Sequence, residues 1–150
     1  MLSKRCFNRL AVSLILMFLL YPGAQLVLCQ DSAGTWKDNA TGLLWSVKDN
    51  GSDTNWVQAN NYCKNLALGG YKDWRLPTVK ELETIYDKRL SKEFKAKNPI
   101  ELTGANMWAE STESGNAWNF SFFNGGTSLV PTGGGCGTSG RALCVRRSGE

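Results

Sequence analysis

Gly69-Gly70-Tyr71-Lys72-Asp73-Trp74-Arg75-Leu76-Pro77-Thr78-Val79-Lys80-Glu81-Leu82 packs a tight turn, an aromatic anchor, an Asp/Arg pair and a helix start into one short stretch. The paired glycines supply backbone freedom that residues with a Cβ lack. Leu76 precedes Pro77 and is pushed toward an extended conformation. Thr78 then fits an N-cap, and Glu81 three residues later completes a capping box. Val79, Leu82, Ile85 and Tyr86 follow at helical spacing, which predicts a helix over Val79–Asp87. This junction of strand, turn and helix decides the fold.

Outward from it, the chain reads as one alternating α+β unit without repeats. Thr35–Lys37 and Leu43–Val47 form a predicted hairpin closed by Asn39-Ala40-Thr41-Gly42. Asp49–Asp53 is a polar turn cluster. Thr54 or Asn55 caps a helix whose apolar face carries Trp56, Ala59, Cys63 and Leu66, and Gly69-Gly70 is expected to stop it. Lys88–Pro99 has no clear period and reads as helix end plus loop. Strands are predicted at Asn106–Ser111, Ala117–Phe122, Thr127–Val130 and Ala142–Arg146, with Asn124-Gly125-Gly126 as a hairpin turn and Gly133–Gly140 as a glycine-rich loop.

These landmarks, in this order, resemble the domain found at the C-terminus of the Legionella collagen-like adhesin. The resemblance rests on Thr41-Gly42-Leu43-Leu44-Trp45, on Tyr62-Cys63, on the opening stretch, on Trp108-Ala109-Glu110-Ser111-Thr112, on Ala117-Trp118, on Asn124-Gly125 and on Cys144-Val145-Arg146. It covers roughly residues 35 to 147. Glu110 departs from the pattern, which more often runs Trp-Ser-Ser-Thr there. Two early helices and a late antiparallel sheet, stapled by a disulfide, further resemble the C-type-lectin-like fold. Arg75-Leu76-Pro77-Thr78 with Glu81 is also similar to the sulfatase-modifying enzymes of a related fold, although fold does not carry function with it.

The N-terminus reads as an export signal. Lys4, Arg5 and Arg9 form a positive n-region, and Leu10–Leu20 is an apolar run too short to span a bilayer comfortably. Residues 1–29 are assigned to the signal peptide, with cleavage between about 24 and 30, and residues 30–150 to a single domain. Leu28 stands where a lipoprotein signal needs a small residue before Cys29, so simple secretion or periplasmic residence is the expectation. Once the leader is gone the domain needs no membrane. The leader takes three of the 17 basic residues, leaving 14 against 13 acidic ones. A mature domain this close to neutral gives nucleic acid no electrostatic hold.

Cysteine usage agrees with export. Cys63 lies near the end of a predicted helix and Cys144 in the last predicted strand; a bridge between them would close a long loop, worth about 4–5 kcal/mol by chain entropy. Cys136 is left odd, either pairing with Cys29 or remaining free, and connectivity stays open at this level.

Asp73, Trp74, Arg75, Pro77 and Glu81 are expected to be structural, with an ion pair or backbone bond of Asp73 and Arg75 bracing the turn. Trp36, Trp45, Trp56 and Trp74 fall in patterned elements and are assigned to the core. Trp108 and Trp118, nearer the loop-rich half, are retained as candidate ligand-binding aromatics. Lys88, Arg89, Lys92, Lys95 and Lys97 form a basic segment interrupted by one acid, Glu93; its ammonium and guanidinium groups suit the spaced sulfates of a polysaccharide, a reading the resemblance adds to because the namesake domain is associated with sulfated glycosaminoglycans, while a solvated charge run is the ordinary reading. The chain contains no histidine, which excludes His-ligated metal sites and His-based triads. Asn98-Pro99-Ile100 and Trp118-Asn119-Phe120 lack the acidic partners of calcium-dependent lectins, so no cofactor is expected.

The expected function is a secreted, adhesin-like binding module, not an enzyme, whose partner is an extracellular glycan, including sulfated polysaccharide, or a surface protein. The alternatives are a structural or homo-oligomerising module and, more remotely, a thiol-dependent enzyme using Cys136.

Overall fold

The structure is a computed structural model that describes residues 34–111, 114–132 and 139–149. The stretch read above as a leader, Cys29, and Cys136 with most of its glycine-rich loop lie outside these residues. Eight elements follow in chain order: β1 (Thr35–Asp38), β2 (Leu43–Ser46), α1 (Trp56–Asn65), α2 (Val79–Ile85), β3 (Asn106–Ser111), β4 (Asn116–Ser121), β5 (Thr127–Pro131) and β6 (Val145–Arg147). They form an α+β arrangement of two helices and two three-stranded antiparallel sheets, ordered β1-β2-β6 and β3-β4-β5.

Strand alternation divides the interior into two cores. Successive residues of a strand point to opposite faces, and here both faces are covered. In β2, Leu43 and Trp45 enter the first core while Leu44 enters the second. In β3, Met107 and Ala109 face the first and Trp108 the second. The run Ala142-Leu143-Cys144-Val145 alternates in the same way. Each helix serves one core: α1 gives Ala59 and Cys63 to the second, and α2 gives Leu82 and Ile85 to the first. Each large apolar side chain so buried contributes about 1.5–3 kcal/mol. Tyr86, Phe120 and Phe122 meet edge to face in the first core, the last two 5.0 Å apart between ring centres. The indole N–H of Trp45 is buried there without an acceptor among the described residues, a cost the surrounding packing outweighs.

The polar cluster at Asp49 is a hub. Its carboxylate, buried, accepts from Gly51 N (2.8 Å), Thr103 N (2.6 Å) and Thr103 Oγ1 (2.6 Å). Cys63 and Cys144 are bonded, S–S 2.04 Å, and both are fully buried. This joins α1 to the segment that leads into β6.

Three boundaries differ from expectation by more than one residue. Gly69-Gly70 does not stop α1, which ends at Asn65 with Leu66 extended and its N–H on Cys63 O. The glycines instead turn a tight hairpin, in which Leu68 and Tyr71 exchange both backbone bonds at 3.1 Å. Both have positive φ, +61° and +83°, as a two-residue hairpin turn of the I′ kind requires. The second helix stops at Ile85, short of Asp87, because Tyr86 turns extended to pair with Ala96 and pack on the phenylalanines. The last strand starts at Val145 rather than Ala142. Ala142 N and Cys144 N are taken by side chains, Asn50 Oδ1 and Ser46 Oγ, so no regular ladder forms before it.

Candidate functional site

The polar and charged side chains of the opening stretch brace the fold. Thr78 Oγ1 accepts from Glu81 N at 3.1 Å, and Glu81 Oε2 accepts from Thr78 N at 2.8 Å, the reciprocal capping box. Arg75 then grips the same carboxylate with both guanidinium arms, Nη2 to Oε1 at 2.6 Å and Nη1 to Oε2 at 2.8 Å. Burial pushes the Glu81 carboxyl up, but the Arg75 bond, the Thr78 N–H and the guanidinium charge together bring it below its ordinary value. Asp73 has a different partner: Arg146 Nε donates to its Oδ1 at 2.7 Å, which holds the Asp73 carboxyl below the usual range. Arg146 is buried, and its guanidinium lies 3.8 Å over the Tyr71 ring. The partners of Arg75 and Asp73 are thus Glu81 and Arg146. Trp74 is buried and its N–H reaches Leu68 O at 3.3 Å, as the core assignment requires.

This bracing fixes the first turn of α2 beside the second sheet. Glu110 N donates to Pro77 O at 2.9 Å, tying β3 to the helix entrance. Between them lies an open groove of about 510 Å³ lined by Thr78, Val79, Lys80, Glu83, Glu110, Trp118 and Thr127. Four elements contribute: α2 and its cap, β3, β4 and β5. Trp118 is half-buried, packed in part on the first core. Among the described residues the side chains of Lys80, Glu83 and Glu110 have no hydrogen-bond or ion-pair partner, and the Trp118 N–H has no acceptor. A second groove of about 460 Å³ is lined by Thr41, Gly42, Leu43, Lys80, Glu81, Thr84, Arg147 and Ser148. Lys80 stands between the two.

Of the two retained tryptophans, only Trp118 reaches a groove. Trp108 is fully buried in the second core, its N–H on Thr54 O at 2.9 Å, which corrects the expectation that it lines a binding face. Its cover comes from distant chain: Gly140 and the segment after it close over the indole.

The basic segment is exposed in part, but its charges are largely engaged locally. Arg89 binds the Asp87 carboxylate at 2.9 and 2.8 Å, and that bond drives the Asp87 carboxyl far below its ordinary value. Lys95 Nζ donates to Phe123 O at 2.8 Å and sits 5.2 Å from the Phe123 ring centre. Lys92 reaches Asn98 Oδ1 at 3.3 Å, while Lys88 and Lys97 are exposed. None of the five lines either groove.

Lys80, Glu83 and Thr127 did not stand out in the sequence, and Glu110 did so only as a departure from the family pattern. The available signal was local: Lys80 and Glu83 share a turn of α2 off its apolar face, and Glu110 is a charge ending an apolar strand. Among the described residues, no three cysteine or carboxylate side chains gather as a metal site, and no helix is long and apolar enough to cross a membrane.

The sequence profile of one family, described as the Lcl C-terminal domain, matches residues 34–146. No curated protein matches the chain.

Proposed function

The chain belongs to the Lcl C-terminal domain family, and from that premise we propose that it is an exported, adhesin-like module that recognises an extracellular glycan without catalysis. One observation carries this reading: the groove at α2, where a half-buried tryptophan shares an open cleft with polar side chains that have no partner within the described chain. Aromatic faces suit the C–H-rich faces of sugar rings, and carboxylate, ammonium and hydroxyl groups suit their hydroxyls. We read the fold as C-type-lectin-like, supported by the two helices, the small sheets and the bond from α1 to the chain before β6. Secretion or periplasmic residence is supported by the leader and by the disulfide.

The exported protein on a glycan array that includes sulfated polysaccharides tests the reading. Binding to a defined subset is expected, lost in Trp118→Ala while that variant still unfolds cooperatively, several degrees below the parent. An array with no bound glycan removes it. Salt-sensitive binding abolished by neutralising Lys92, Lys95 and Lys97, and indifferent to Trp118, moves the site to the basic segment. Mass spectrometry of the exported form tests the leader assignment.

A homo-oligomerising role is the second reading. It is favoured by β5, the outer strand of its sheet, which exposes Leu129. A monomeric mass in solution removes it. The thiol-dependent alternative depends on Cys136 alone, since Cys63 and Cys144 are bonded to each other.

A further inference from the structure

We propose that the groove at α2 binds a non-anionic hexose unit, neutral or carrying a free amine, and that sulfated or carboxylated sugars are excluded from it. This rests on the glycan-recognition reading above and names the ligand class of the same site. The argument is one of charge and shape. Among the described residues the groove presents two carboxylates, Glu83 and Glu110, against one ammonium, Lys80. A sulfate or uronate seated there meets net repulsion, whereas hydroxyls and amines are donors to which carboxylate oxygens are the natural acceptors. The two carboxylates come from different elements, α2 and β3, with Trp118 contributed by β4 and Thr127 by β5. A ring resting on the indole therefore has acceptors available from the helix and from the sheet. The indole N–H, without an acceptor among the described residues, adds a donor for a ring or hydroxyl oxygen. Trp56, Trp74 and Trp108, by contrast, each spend theirs on a backbone carbonyl.

The cations elsewhere do not undo this. Arg89 is neutralised by Asp87, Lys95 is held by the Phe123 carbonyl and ring, and none of the basic segment lines the groove. A polysulfate would thus find its charges on a different surface from the aromatic platform.

The experiment is calorimetric titration of the full exported chain with three six-unit probes: an N-acetylglucosamine oligomer, a glucosamine oligomer and a heparin fragment. Parent, Trp118→Ala, Trp118→Phe and the Glu83→Gln/Glu110→Gln double variant are compared. The expected result is binding of one or both unsulfated oligomers, weakened about tenfold or more by Trp118→Ala and less by Trp118→Phe, which keeps an aromatic face. The double variant weakens the free-amine oligomer more than the acetylated one. Which oligomer binds identifies the neutral or amine source. Heparin is expected not to bind, or to bind with an affinity that Trp118→Ala leaves unchanged. Trp118-dependent heparin binding tighter than that of both unsulfated oligomers overturns the inference while leaving glycan recognition standing. So does array binding to unsulfated sugars that ignores Trp118. Should Trp118→Ala fail to fold, the Gln double variant and Trp118→Phe carry the same test.

Discussion

Arg75 and Val145 exchange both backbone hydrogen bonds, N–H to carbonyl at 3.0 Å one way and 2.9 Å the other. The opening stretch is thereby annealed to the first residue of β6, one position past the disulfide-bonded Cys144. The Arg75 side chain turns the other way, to Glu81. One residue thus ties the entrance of α2 both to the first sheet and to its own helix cap, and the walls of the groove depend on it.

Glu81→Gln keeps the shape of that tie and removes its charge. It is expected to lower stability by about 1–2 kcal/mol at about pH 7, a charge-assisted fork discounted for the part-exposed Arg75. The effect has a pH signature. Because the folded carboxyl sits below its ordinary value of 4.5, its contribution is complete above that value and is lost as pH falls through the lowered folded value. Urea unfolding at stepped pH should show parent and variant converging in acid. An unchanged gap from neutral to strongly acidic pH contradicts the role given to this carboxylate.

The Cys63–Cys144 bond closes a loop with a sequence separation of 81 residues. Chain entropy assigns such a closure about 4–5 kcal/mol. The Cys63→Ala/Cys144→Ala variant should melt at least about 10 °C below the parent, given the melting entropy of a domain this size. Both sulfurs are buried, so mild reductant should leave the folded bond intact until the chain is partly unfolded. A loss of only a degree or two would mean that the two cores hold these segments together unaided.

The two late tryptophans should part company in stability. Trp108 is fully enclosed and donates to Thr54 O, so Trp108→Ala is expected to cost about 3–5 kcal/mol through the cavity and the orphaned carbonyl. Trp118 is half-open to the groove, and its removal should cost about 1–2 kcal/mol. Chemical denaturation of both variants checks the order. A reversed order would place the binding aromatic on the wrong residue.

What the sequence made legible was local. The Thr78/Glu81 box joins residues three positions apart, and the β1–β2 turn is written in Asn39–Gly42; each can be read from a window that contains its own cause. Asp73 with Arg146 spans 73 positions, and no window shows that this aspartate prefers a distant arginine to its neighbour Arg75. Trp108 was misplaced for a similar reason. Alternation in β3 is real, but it sorts residues between two cores rather than between core and solvent, so the usual polar marker of an outer face is missing. The groove was illegible because its carboxylates sit on a helix and a strand that only tertiary packing brings together.

The Arg146–Asp73 pair joins a buried guanidinium to a carboxylate that is half-exposed, 2% against 50% of the side chain accessible. This asymmetry predicts unequal mutants. Asp73→Ala withdraws an anion from a charge that cannot easily rehydrate, and should cost about 1–3 kcal/mol. Arg146→Met removes the buried charge and keeps an unbranched apolar stem over Tyr71, leaving an aspartate that water can reach. It should therefore be the milder change, and in the double variant the loss at position 73 should largely vanish. Urea unfolding of the two single variants and the double variant supplies the cycle. Additive losses would show that the two groups stabilise the turn separately, and that the ion pair is not what holds the stretch from Tyr71 to Arg75 against β6.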